Sequence, residues 1–230
     1  MSRSTDIHLA PDRRALVARA KRLEYVTLIW NSLEGIAAVV AGALAGSIAL
    51  AGFGIDSFIE VTSGAAVLWR MSVDADRLGR EKSERRSLKI AGICFVALAV
   101  YLTYESMGSL ISRRAPKNSL VGIVVASLSL LLMPLLSRAK RKVAAELGSE
   151  TMRADAKQTD FCFYLAAILL VGLLLNRRFG FWWADAAAAM AMVPIIASEA
   201  GKALRGEKCS DGCAVITRGD NQNRVVRHDG

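Results

Sequence analysis

An aspartate and a glutamate stand four residues apart in the run Gly54-Ile-Asp-Ser-Phe-Ile-Glu60, which puts Asp56 and Glu60 one turn apart on a single helix face. The run is otherwise apolar, and an ionisable group in such a setting is costly enough to mark function. Two carboxylates so placed repel each other unless a cation lies between them or one of them carries a proton. The pair can therefore hold a metal ion or protons. Lys and Arg stand only at the edges of apolar runs, so no built-in counter-charge is expected beside it. A second turn-spaced pair, Gln158 and Cys162, lies in Ala154-Asp-Ala-Lys-Gln-Thr-Asp-Phe-Cys162 and offers an amide oxygen and a thiol. Taken alone this pair is a weak signal, because a cysteine in an apolar helix is commonly a small core residue. Asp160 competes with it but lies about 200° around the helix from Gln158 and cannot share its face. Asn31 and Glu34, three apart, share a face of an earlier apolar run and are candidates to line a pathway or to support the site.

The elements that must position these groups follow from the arrangement of apolar residues. The chain has 230 residues, 53% hydrophobic and 7% aromatic, with a formal charge of +9. Its apolar residues form long blocks with the charges between them, the pattern of a multi-span membrane protein. Six blocks are near the length that crosses a bilayer: Tyr25 to Gly46, Ile48 to Trp69, Leu88 to Ile111, Ser119 to Leu136, Thr159 to Leu175 and Phe181 to Ser198. The fold class read from them is all-α, a polytopic membrane protein with six transmembrane helices. Residues 1–22 are basic and hold no apolar core of a secretory signal, so the first span is expected to remain in the membrane. Of the 30 Lys and Arg, 25 fall in segments on one side of the spans and 5 on the other, which predicts both termini cytoplasmic. The expected organisation is a cytoplasmic segment over 1–22, a six-helix domain over 23–200 and a short flexible cytoplasmic tail over 201–230. Gly42-x-x-x-Gly46 permits close helix contact in the first span. The basic charge is matched to lipid headgroups, and no nucleic-acid partner is expected. No nucleophile with a base and no phosphate-cradling glycine loop is present, which argues against ATP-driven transport and membrane enzymology.

Gly46-Ser-Ile-Ala-Leu50 followed by Asp56-x-x-x-Glu60 resembles the second-span motif of the cation diffusion facilitator, or cation efflux, family. Its members are six-span exporters of divalent metals driven by proton exchange. In the family this span carries an Asp-x-x-x-Asp pair, so the resemblance places Asp56 on the first ligand and Glu60 on the second. The fifth span of the family carries His-x-x-x-Asp after an Ala-Asp pair; aligning Ala154-Asp155 places Gln158 on the His and Cys162 on the Asp. Placing Asp160 on the family Asp instead puts Ala156 where the His belongs. The resemblance covers about residues 25 to 205. It implies a secondary-active transporter of the inner cell membrane, not an enzyme, with a homodimer as its assembly and the lipid bilayer as its surroundings. The chain reads as a short form without the family's folded C-terminal cytoplasmic domain, since about 30 residues cannot build one.

Asp56, Glu60, Gln158 and Cys162 together suit a tetrahedral ion such as Zn2+ or Cd2+, while the loss of His opens Mn2+, Co2+ or Fe2+ as cargo; H+ is the counter-ion and no resident cofactor is expected. At 1.5 Å per residue, Asp56 and Glu60 lie about 12 and 18 Å along their span and Cys162 and Gln158 about 20 and 26 Å along theirs. The pairs meet only with a tilt or offset, and only if the fifth span continues as a polar helical turn before Thr159. Glu105 reads as an edge residue of the third span, and Asp185 as the N-cap of the sixth beside Trp182 and Trp183. Cys209 and Cys213 in the tail offer two thiols for soft metal, whereas His8 and His228 are expected to bind nothing. Two other readings stay open. One is a non-transporting membrane metal-binding or sensing protein working through those cysteines. The other is a carrier of organic cations, for which Phe53 and Phe58 are the nearby aromatic candidates.

Overall fold

The computed structural model describes residues 9–72 and 77–205, and all the secondary structure among them is α-helical. Six helices follow in order: α1 Leu9–Ala45, α2 Ile48–Ser72, α3 Arg77–Ser112, α4 Leu120–Leu147, α5 Glu150–Phe179 and α6 Ala184–Arg205. Each contains a window long and apolar enough to cross a membrane, so the chain is a multi-pass membrane protein. Several helices outrun their apolar blocks. α1 has 37 residues and is about 55 Å long, α4 continues past Leu136 to Leu147, and α5 begins at Glu150. Polar residues in these extensions remain helical because Ala, Arg, Lys and Glu are good helix formers.

Helix α1 shows how the sequence sorts itself between bilayer and bundle. Ile29, Leu33, Ile36, Val40 and Leu44 recur every three or four residues and are exposed. The opposite stripe, Glu24, Thr27, Asn31, Glu34, Ala38 and Ala41, is buried. Its polar groups turn inward because in lipid only protein can satisfy them. The interior apolar cluster includes Phe53, Leu102, Leu165, Leu169 and Met192.

Two helical hairpins share one turn chemistry. α1 ends at Gly46 with φ +66°, and Ser47 caps α2 by accepting from Leu50 N at 3.2 Å. α4 ends at Gly148 with φ +61°, and Ser149 caps α5 by accepting from Met152 N at 3.4 Å. Glycine takes the left-handed turn without strain and serine satisfies the first free N–H groups of the next helix. α1 and α2 then pack backbone to backbone. A Cβ on Gly42 would sit 2.6 Å from Ala51 N, and one on Gly54 would sit 2.7 Å from Val39 N. Of the expected Gly42-Gly46 contact, only Gly42 touches the partner helix; Gly46 is needed for the turn.

These contacts, with those of Glu24 to Lys140 and Glu34 to Ser129 between α1 and α4, give helices of alternating direction. One end of the bundle carries the start of α1, the Gly148-Ser149 turn and the end of α6, and it is called the basic end below. At the opposite end the expected role of Asp185 is corrected. It lies inside the first turn of α6 rather than capping it, and its carboxylate accepts from Ser47 Oγ at 2.5 Å and from Ile48 N at 2.7 Å. It thus caps α2, because α2 and α6 start side by side and a carboxylate is favoured at the positive end of a neighbouring helix dipole.

Candidate metal centre

Near the middle of α2, Asp56 and Glu60 point into the bundle and are 4% and 8% exposed. Cys162 of α5 is fully buried beside them, and one ligand atom from each of the three lies within 4.8 Å of the others. α5 extends to Glu150, so the helical turns before Thr159 that this meeting needs are present. A metal with ligands at about 2.0 to 2.3 Å is reached from this spacing by small side-chain adjustments. Two carboxylates and a thiolate give a hard–soft mixed donor set with at least one coordination position left for water or a fourth residue.

The surrounding groups orient this set. Asn31 Nδ2 donates to Glu60 Oε2 at 2.7 Å, which fixes one oxygen of that carboxylate. Glu34, 2% exposed, accepts from Ser57 Oγ at 3.4 Å and from Ser129 Oγ. It stands close to the cluster without belonging to the three-residue set. Gln158 is half-buried and accepts from Ser63 Oγ at 3.0 Å, and with Glu60 it lines a cavity toward the basic end. Its amide is therefore beside the cluster but engaged with α2. Asp160 is placed apart. It accepts from Ser137 Oγ at 2.6 Å and pairs with Arg141 on α4, both on the side of α5 away from Cys162.

One expectation is corrected by α4. Lys140, counted among the edge charges, is 1% exposed, because α4 carries it on into the bundle. It does not neutralise Asp56 and Glu60; its ammonium pairs with Glu24 of α1 at 3.1 Å and with Asp155 of α5. This triad was missed although its signal was present. Glu24, Thr27, Asn31 and Glu34 on α1 recur at helical spacing, as do Asp155, Gln158 or Thr159, and Cys162 on α5, and Ser129, Met133, Ser137 and Lys140 on α4. Each stripe, Met133 apart, is a polar or small face that fits a polar interior.

Of the remaining candidates, Phe53 is part of the apolar core and Phe58 packs on Gly35 of α1. Among the described residues, no aromatic side chain lines the cavity beside Glu60 where an organic cation would need one. Glu105 is half-buried in α3. Phe179, Phe181 and Trp183 stack in series, with centroids 5.5 and 5.4 Å apart, around the α5–α6 turn. Cys209, Cys213, His8 and His228 lie outside the described residues.

With this geometry in hand, the chain matches the pattern of the cation efflux transmembrane domain over residues 25–206. It is 25% identical over 186 residues to an uncharacterized transporter of Methanocaldococcus jannaschii, covering 76% of this chain and 64% of the relative. It is also 25% identical over 190 residues to the cation-efflux pump FieF of Shewanella oneidensis, covering 81% of this chain and 61% of that protein. The chain thus spans somewhat under two thirds of the length of these relatives.

Proposed function

The chain belongs to the cation efflux family, and from that premise we propose that it exports a divalent transition metal in exchange for protons, with Asp56, Glu60 and Cys162 as the site that holds the metal in mid-membrane. The observation that carries this reading is the meeting of three ligand atoms within 4.8 Å in a buried layer, while the one buried Lys or Arg among the described residues, Lys140, pairs with Glu24 and Asp155 instead. Gln158, one turn before Cys162, is the proposed fourth contact once Ser63 releases its amide. The cargo is of the class of Zn2+, Cd2+, Mn2+, Co2+ or Fe2+, with the thiolate favouring the softer members.

Metal reaches the deprotonated carboxylates from the basic end, which is the proposed cytoplasmic face on the strength of its excess of Lys and Arg. The bundle then rocks so that the site opens to the other face, where protons take the carboxylates and the metal leaves. Asn31 holds Glu60 in register through this cycle, and the Glu34 carboxylate adds negative potential that favours cation over anion. No covalent step is required. Homodimers in the inner cell membrane are the proposed assembly.

The test is metal flux in proteoliposomes under an imposed pH gradient, for each of the five metals, with wild type and Asp56→Ala. Gradient-driven flux of at least one metal, lost in the mutant, is the expected result. No flux above empty liposomes from folded protein overturns the reading and favours a non-transporting binding protein.

A further inference from the structure

A second concentration of buried charge lies on the basic-end side of the metal cluster. Glu24 precedes Asn31 by seven residues and Asp155 precedes Cys162 by seven, which is about 10 Å along each helix. Lys140 bridges the two carboxylates, with side chains 1% exposed for Lys140, 0% for Glu24 and 8% for Asp155. With both acids ionised, two carboxylates and one ammonium leave a net negative charge in a dry setting. The cavity that borders Glu60 reaches this triad, and its volume of about 10 Å³ gives room for about one water-sized particle.

Among the described residues, two acceptors that belong to residues lining that cavity have no hydrogen-bond partner. Glu24 Oε1 and Asn31 Oδ1 are both buried without a hydrogen bond, although the other atom of each group is engaged. A buried acceptor left without a donor is unfavourable. Oxygen acceptors that surround an ion-sized space of net negative charge suit a divalent cation. Lys140 is the right kind of group to stand in for such an ion, being a compact charge on a flexible four-carbon stem.

We propose that Glu24, Asp155 and the free amide oxygen of Asn31 form a second cation-binding position, of all-oxygen character, on the access side of the Asp56–Glu60–Cys162 cluster, with Lys140 as a tethered cation that fills it between metal ions. An incoming ion displaces the ammonium, rests on the two carboxylates and passes to Glu60, which lines the same cavity. The inference rests on the transport reading, because only a moving ion needs a staging position beside its site. Lys140 then keeps both acids from standing uncompensated when no metal is present.

The experiment is cadmium-113 NMR and cadmium stoichiometry on the full chain in detergent. Wild type is expected to give one Asp56-dependent resonance in the sulfur-bearing range. Lys140→Met, which keeps the stem and removes the charge, is expected to double the bound cadmium and add a resonance in the all-oxygen range. That resonance should vanish in Lys140→Met combined with Glu24→Gln. A folded Lys140→Met that binds no extra cadmium, or an extra resonance that survives Glu24→Gln, overturns the proposal. Absence of the Asp56-dependent resonance sinks the transport reading instead and leaves the Lys140 comparison legible. Should Lys140→Met fail to fold, Glu24→Gln alone carries the test, since Lys140 then faces Asp155 one to one. The cadmium concentration for half-maximal flux is expected to rise about tenfold with maximal flux retained, and an unchanged value overturns the proposal.

Discussion

Two buried polar layers cross this bundle about 10 Å apart, and they handle negative charge in opposite ways. In one, Lys140 supplies the cation from within the chain to Glu24 and Asp155. In the other, Asp56 and Glu60 meet Cys162, and the glutamate accepts from Asn31, a neutral donor. A layer that carries its own cation is complete when empty of metal. A layer that lacks one is complete only when a metal ion or protons arrive. The difference separates a layer that rests without metal from one that waits for metal or protons more sharply than burial does, since both layers are equally dry.

The comparison can be broken most decisively at the layer without a lysine. Asp56→Ala or Glu60→Ala should reduce metal flux by about a hundredfold or more while leaving the thermal midpoint of the detergent-solubilised protein near that of wild type. Loss of folding together with flux would show that the acids are structural and erase the contrast. Lys140→Ala should do the reverse to stability. It strands two buried carboxylates, and removing one partner of a buried ion pair costs about 3 to 5 kcal/mol, to be read from equilibrium unfolding in mixed micelles. Neutralising the acids as well, with Glu24→Gln and Asp155→Asn, should recover most of that loss.

Finer substitutions sharpen the account. Asn31→Ala frees the Glu60 carboxylate and should weaken metal binding by about ten- to a hundredfold, the usual effect of losing a group that orients a ligand. Metal affinity should rise with pH in wild type, because the ion competes with protons for Asp56, Glu60 and Cys162; titration calorimetry at two pH values checks the sign. The smallest effect belongs to Arg141→Ala. Its pair with Asp160 is 56% and 30% exposed, so the change in stability should stay within about 1 kcal/mol. A large effect there would mean that Asp160 belongs to the site after all.

The sequence made one layer legible and hid the other for a physical reason. Asp56 and Glu60 interrupt an apolar run, where an ionisable group is costly enough to mark a candidate site. Glu24, Lys140 and Asp155 lie at or beyond the ends of the apolar blocks, where charges ordinarily face headgroups or water. The helical extension of α1 back to Leu9, of α4 to Leu147 and of α5 back to Glu150 brings them inside. Their stripes at helical spacing were readable, yet a stripe names a face and not the helix it meets. The six spans were clear from hydropathy alone. The role of Asp185 was not, because an acid at a helix start caps its own helix by default, and here the start of α2 lies beside it.

The central claim is that the layer without a lysine is where the metal resides. Cadmium X-ray absorption spectroscopy on the loaded full chain tests it most directly. The account predicts a shell of mixed oxygen and sulfur ligands with one sulfur, which disappears from the spectrum in Cys162→Ser and is lost with the bound metal in Asp56→Ala. A shell of oxygen alone in wild type, unchanged by Cys162→Ser and by Asp56→Ala, would contradict it.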